Sequence, residues 1–323
     1  MDIRWKIKDI MMKVAVRLLK MTEWYDDYWS SWRGHPFKYA ENKGLHILPV
    51  HFYSPIPDTK ALPQSLWQGK ADIPGVEINY EKALNLLRVL SDKYQLEYEQ
   101  FSNPQLSGGQ TFHLPNGTFG CGDAELLYSM VRHTKPSKII EIGSGFTTLI
   151  ISRAIRQNQI EHHDYFCEFI SIDPYPPEYL QSPPMEVTRL LRTDLQTISL
   201  AEIVSLKAGD LLFIDSSHVA KIGSDVLYEY LEILPSLQPG VFIHVHDIFL
   251  PMEYPSDWIF TEMAFWNEQY ILQAFLSFNS SYEIISPLYA MYSRYPETIE
   301  KYFPSCKRFG CRPSSFWMQR VLN

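Results

Sequence analysis

The chain of 323 residues lacks a basic excess: 29 Lys and Arg stand against 37 Asp and Glu, a formal net charge of −8. Nucleic-acid partners normally leave a basic patch or stripe, so none is expected. No apolar run approaches the roughly 18 residues that span a bilayer. The start, MDIRWKIKDIMMKVAVRLLK, is charged throughout and has no long apolar centre, so it does not read as a secretory signal. The four cysteines (Cys121, Cys167, Cys306 and Cys311) are too few and too scattered for a disulfide scaffold. Cys306 and Cys311, spaced C-x4-C without a second pair, read as ordinary thiols, and a cytoplasmic, reducing home is expected. Internal repeats and low-complexity tracts are also missing. Apolar content, in contrast, is an ordinary 46%, enough for a soluble domain with a real core.

Along residues 3–21, Ile3, Ile7, Ile10, Met11, Val14, Leu18 and Met21 fall on one stripe of an amphipathic helix. Its basic residues would also suit a membrane surface. Docking on its own domain, or on a second copy to give a homodimer, is the preferred reading. Residues 30–76 are rich in Pro, Gly and aromatics, which predicts an irregular wrap over the surface or over a site mouth. Helical spacing returns over 77–100. The expected division is a helical and Pro/aromatic-rich extension or lid over 1–110 and a main domain over 111–323. From Lys138 onward, strands alternate with helices: KIIEIG (138–143), FISID (169–173), MEVTRLL (185–191), DLLFID (210–215) and GVFIHVHD (240–247). A long helix is predicted over 261–278, then strands YEIISPL (282–288) and SSFWMQRV (314–321). Buried strands separated by helices predict an α/β fold, a doubly wound, mostly parallel sheet.

In such sheets ligands sit at the carboxyl ends of the strands. The first strand ends Glu141-Ile-Gly143-Ser144-Gly145, and the second ends at Asp173, which can take both hydroxyls of a ribose. A nicotinamide loop would want a third glycine where Thr148 stands. E-x-G-x-G after the first strand, with an acid ending the second, resembles the class I S-adenosylmethionine-dependent methyltransferases. The resemblance covers about residues 120–323. It implies a seven-stranded Rossmann-like sheet, the cofactor's methionine end near Glu141 and the Gly143–Gly145 loop, and its ribose on Asp173. In the third-strand loop, Asp194 or Gln196 would flank the adenine, and Asp215 would close the cofactor site from the fourth strand.

The fourth strand ends FIDSSH (213–218) and the fifth ends HVHD (244–247), so Asp215, His218, His246 and Asp247 should converge. His244 lies deeper and reads as a core or supporting histidine. The arrangement is similar to the cation-dependent O-methyltransferases of the catechol, caffeoyl-CoA and macrolide-sugar types. That resemblance implies a divalent metal on Asp215, His246 and Asp247, and His218 as the catalytic base. The pattern departs from the family at His246, where an acid is usual. Mg²⁺ prefers oxygen ligands while imidazole suits later metals, so Mg, Mn and Fe all stay open. The expected reaction is O-methylation of a small hydroxylated metabolite, a sugar or natural product, with Glu253, Tyr254 and Trp258 near the acceptor. Two alternatives stand beside it: a two-His, one-carboxylate iron enzyme on this fold, and a non-catalytic cofactor-binding scaffold.

Overall fold

The structure, a computed structural model, describes residues 3–21, 35–48, 50–69, 72–102 and 111–322. Two compact units divide the chain, Met1–Gln64 and Ser65–Asn323. The first holds α1 (Ile3–Met21) and α2 (His35–Glu41). The spacing of α1 is as its sequence predicts, and Ile7, Ile10, Met11, Val14 and Leu18 are exposed. Residues 22–34, which include the start of the expected wrap, lie outside the described residues, as do residues 103–110 beside the expected boundary.

The second unit begins well before residue 110. Its helix α3 (Tyr80–Tyr98), which the sequence reading groups with the extension, buries Leu87, Leu90 and Tyr94 in one core with Leu126, Leu127 and Val131 of α4 (Asp123–Thr134). Those apolar positions recur every three to four residues, so one face of each helix is consumed by the other.

Seven strands follow: β1 (Lys138–Ile142), β2 (Glu168–Ile172), β3 (Val187–Leu191), β4 (Leu211–Ile214), β5 (Phe242–Val245), β6 (Tyr282–Pro287) and β7 (Phe316–Arg320). Their order is β3-β2-β1-β4-β5-β7-β6. The first five run parallel, and β7 is antiparallel to both its neighbours. This is the seven-stranded, mostly parallel sheet the sequence predicts. The strand order reverses between β1 and β4, where a cleft must open because the following loops leave in opposite directions. Both faces are covered. Ile139, Phe169, Leu211 and Phe213 point toward α4 and α5 (Phe146–Glu161), while Ile140, Ile142, Leu212, Ile214 and Ile243 pack against Leu195, Val226 and Ile233. Alternation along each strand assigns these faces.

Two expectations are corrected. The helix predicted over 261–278 forms only as Glu268–Leu276. Before it, Met263 takes a left-handed backbone, and Asn267 spends its side-chain oxygen on Ala220 N–H, 2.6 Å away. Cys311, read as an ordinary thiol, is disulfide-bonded to Cys121 across 190 residues of sequence, too far apart for spacing to reveal. Cys167 and Cys306 are free and buried.

The turn after β1 is pinned from both sides. Gly143 has φ +87°, and a Cβ there would lie 1.9 Å from the backbone oxygen of Asp215. Beneath the turn Glu141 is fully buried, its carboxylate accepting from Thr147 Oγ1 at 2.6 Å, Thr148 Oγ1 at 2.7 Å and Ser171 Oγ at 2.5 Å. Burial pushes Glu141 up to about 7, with the three hydroxyls pulling the other way.

Two outcomes are expected. Gly143→Ala should lose about 3 kcal/mol or more of unfolding free energy, because both the conformation and the contact with β4 are lost. Gly209→Ala, at φ +90° in open space, should lose only about 1–2 kcal/mol; denaturant titration of the two variants compares them, and equal losses would refute the contact. Glu141 favours its protonated form in the fold, so its contribution is fully present below about 4.5 and is lost as pH rises through about 7. Relative to wild type, Glu141→Gln should therefore gain stability between pH 4.5 and 8, by at most roughly 3 kcal/mol. Parallel pH-stability curves for the two proteins would contradict it.

Candidate active site

The strand tips are held level by backbone bonds that continue the sheet: Gly143 N–H to Ile172 O at 2.9 Å, Asp215 N–H to Ile142 O at 2.9 Å and His246 N–H to Ile214 O at 3.0 Å. Asp215, His246 and Asp247 thereby emerge side by side just past β4 and β5. His218 and Asp247 both adopt left-handed backbone, with φ 58° and 55°. Such conformations cost non-glycine residues energy and persist where the surroundings enforce them. For His218 the enforcement is visible: its carbonyl accepts from the N–H groups of Asn267 and Glu268 at 3.1 and 3.2 Å.

All four side chains meet as expected. His218 Nε2 lies 3.3 Å from Asp215 Oδ1 and 3.7 Å from Asp247 Oδ2, and His246 Nδ1 lies 3.5 and 3.6 Å from the same two oxygens. Burial alone would raise Asp215, but the imidazoles of His246 and His218 overcome it and hold the carboxyl well below its usual range. Burial also raises Asp247, and there it wins over the same two rings. Both histidines are buried, which disfavours their charge, yet the surrounding carboxylates lift each well above an ordinary histidine. The deeper His244 is held low by burial and by His246; its Nε2 pairs with Ser315 Oγ at 2.9 Å and its ring stacks on Phe213. It is a core histidine, as its depth in the strand predicts.

Two carboxylates that the sequence reading does not assign to the site complete it from behind. Glu268, fully buried, sits 2.8 Å from His218 Nδ1 and accepts from Tyr230 OH at 3.1 Å. Its sequence signal is an acid four residues before the buried Leu272, on the apolar face of its helix. Asp123, an acid in the first turn of α4 just after the cap residue Gly122, turns toward the tip of β5. It accepts from Ser314 N–H at 2.9 Å and Ser315 N–H at 2.8 Å, and its Oδ2 lies 3.4 Å from His246 Nε2. Partners 123 and more residues away leave no local trace. Ser314 Oγ also donates to Asp247 Oδ1 at 3.0 Å.

Two cavities flank this cluster. One, of about 530 Å³, is lined by Gly143, Asp173, Asp194, Gln196 and Asp215, which unites most of the expected cofactor residues. Asp173 accepts from Ser144 N–H at 2.8 Å and Tyr175 N–H at 2.7 Å, one bond to each oxygen. Glu141, Ser144 and Gly145, also expected at the cofactor, brace the turn rather than line this cleft: Ser144 Oγ pairs with Ser171 Oγ at 2.7 Å and Gly145 N–H donates to Thr148 Oγ1 at 3.0 Å. The second cavity, of about 670 Å³, has His246 and Asp247 on one wall and Trp67, Phe249, Trp258 and Tyr289 around it. Glu253 and Trp258 line it as expected. Tyr254 does not, because it is buried and its hydroxyl accepts from Gln269 N–H at 3.1 Å. From the aromatic stretch before residue 76, Trp67 reaches this cavity, its Nε1 donating to Tyr254 O at 2.9 Å.

Among known proteins, residues 140–248 match the family model described as a methyltransferase domain. An uncharacterized protein of Archaeoglobus fulgidus is 31% identical over 138 residues, which is 41% of this chain and 60% of the relative. The chain thus spans less than two thirds of that relative's length. The solved CmcI-N160 apo-structure aligns over 62% of this chain and 72% of its own at 16% identity and a TM-score of 0.37, too loose a likeness to bear on fold or function. The strand order and the glycine turn seated on the fourth strand's tip make this a class I Rossmann-like α/β fold, and within it residues 140–248 are similar to a methyltransferase domain.

Proposed function

We propose that the protein transfers a methyl group from S-adenosylmethionine to an oxygen of a small hydroxylated acceptor, with a divalent metal ion assisting. The observation that carries this reading is the position of the Asp215–His218–His246–Asp247 cluster. Asp215 belongs to the cleft below the glycine turn, and His246 and Asp247 belong to the aromatic-walled cavity beside it. A donor in the first and an acceptor in the second would meet at the cluster.

The residues fit both absent groups. Each Asp173 oxygen keeps a further lone pair for a ribose hydroxyl beyond the backbone N–H it already accepts. Asp215, His246 and Asp247 offer ligand atoms that all lie within 4.8 Å of one another. A divalent ion held there would supply Lewis acidity, making an acceptor hydroxyl far easier to deprotonate. The rest is the work of the chain. Glu268 holds one proton of His218 on Nδ1, and Nε2, facing Asp215 and Asp247, would receive the acceptor's proton once its own has been given up. The four aromatic walls of the larger cavity hold a ring or a sugar face and keep water from the donor methyl. In-line transfer then depends on positioning. Iron–oxygen chemistry would use the same donors, but the donor cleft beneath Gly143 favours methyl transfer. The exposed apolar stripe of α1 supports the accompanying proposal that two copies pair through it.

Calorimetric titration should show S-adenosylmethionine binding to wild type and weakened at least about 10-fold in Asp173→Ala. His218→Ala should bind the cofactor within about two-fold of wild type yet lose roughly 10²–10⁴ in turnover, read as S-adenosylhomocysteine released over a panel of sugar and phenol acceptors. Unchanged turnover in His218→Ala, or no cofactor binding by wild type, would refute the assignment.

A further inference from the structure

We infer that the ion held by Asp215, His246 and Asp247 is a borderline transition metal such as Co²⁺, Zn²⁺ or Fe²⁺ rather than Mg²⁺, selected by His246 Nδ1 and kept in place by Asp123. This deepens the ion-assisted reading above and rests on it.

The argument starts at the far side of the ring. Asp123 is buried, and the backbone N–H groups of Ser314 and Ser315 donate to it. Its Oδ2 and Ser314 Oγ are the two partners of His246 Nε2, each at 3.4 Å. An acceptor there favours keeping a proton on Nε2, so the nitrogen that a cation could claim, in place of its proton, is Nδ1 through its lone pair. That lone pair faces two carboxylate oxygens, Asp215 Oδ1 and Asp247 Oδ2, at 3.5 and 3.6 Å. The spacing, like the 3.4 Å at Nε2, is longer than the roughly 2.7–3.2 Å of ordinary N–H···O hydrogen bonds. It matches the edges of a coordination shell: bonds of about 2.0–2.2 Å place neighbouring ligands roughly 3–3.6 Å apart. One buried imidazole and two half-buried carboxylates converge there, a set that a single cation would bridge.

Which cation follows from the donors. Mg²⁺ takes oxygen and resists imidazole, whereas later divalent ions gain affinity from it. A carboxylate on the outer nitrogen is the arrangement that orients a ligating histidine and raises its basicity. Here Asp123 fills that role for His246 as a positioning residue, and the backbone of Ser314 and Ser315 positions Asp123 in turn. Among the described residues, His218 stands outside the set of ligand atoms that lie within 4.8 Å of one another, so the ion is assigned to the other three.

The test uses the full chain stripped of metal and titrated separately with MgCl₂, MnCl₂, CoCl₂ and ZnCl₂, without cofactor or acceptor. Wild type should bind Co²⁺ and Zn²⁺ at least about 100-fold more tightly than Mg²⁺. His246→Glu should bring that ratio below about 10, and Asp123→Asn should weaken Co²⁺ by about 10–100-fold. Pulsed electron paramagnetic resonance of the Co²⁺-loaded wild type should show coupling to one imidazole nitrogen, a readout that needs no variant to fold. Equal affinity for Mg²⁺ and Zn²⁺, no ion bound at all, an unchanged ratio in His246→Glu, or no nitrogen coupling would overturn the inference. S-adenosylmethionine titrated into the same samples reports separately on the methyltransferase reading, which stands if the cofactor binds and the metal preference fails.

Discussion

The backbone of Gly143 rests directly on the carbonyl of Asp215, and the rest of the site is arranged around that contact. No side chain fits between the two, because a single added carbon would lie 1.9 Å from the oxygen. The contact brings the tip of β1 onto the tip of β4, so the cleft proposed for the cofactor and the carboxylate proposed for the metal share one wall. Glu141 secures the same turn from inside, with three hydroxyls from two elements on one buried carboxylate. A group that resembles a cofactor ligand in the sequence is here the anchor of the loop that the cofactor would touch.

From this edge outward the site is built in two layers. The inner layer is Asp215, His218, His246 and Asp247, four residues from two neighbouring strand ends. The outer layer is Glu268 behind His218 and Asp123 behind His246, each a buried acid at the outer nitrogen of a ring. The symmetry has a physical reason. A histidine among carboxylates can hold its proton on either nitrogen, and a second acid outside the cluster settles which. Left-handed backbone at His218 and Asp247 shows that the layers hold the inner residues against their own conformational preference.

The inner layer was legible in the sequence because strands announce themselves. Apolar runs ending in FID and HVHD place their polar residues at the same edge of a parallel sheet, and Asp215, His218, His246 and Asp247 do converge. The seven strands were legible for the same reason. The outer layer was not. Asp123 looks like an ordinary first-turn acid, and its bonds reach 191 residues along the chain to Ser314. Glu268 was enclosed in a helix predicted too long, because nothing local shows that Asn267 is already engaged with Ala220. The Cys121–Cys311 pairing was hidden by the same distance. Periodicity reads what lies within a turn or a strand; what two remote segments do to each other appears only when the sheet brings them together.

The late strand β7 occupies an interior slot, between β5 and β6, although it follows both in sequence. The residues just before it, Ser314 and Ser315, supply the amides that hold Asp123 beside His246. Until that strand slides in, β5 has an open edge and the imidazole on its tip has no fixed tautomer. Such remote pairing closes slowly, since a long stretch of chain must be ordered before it is rewarded. The pocket is therefore complete only when that strand is in place, and a nascent or nicked molecule missing it would carry a nearly complete sheet around an unfinished centre.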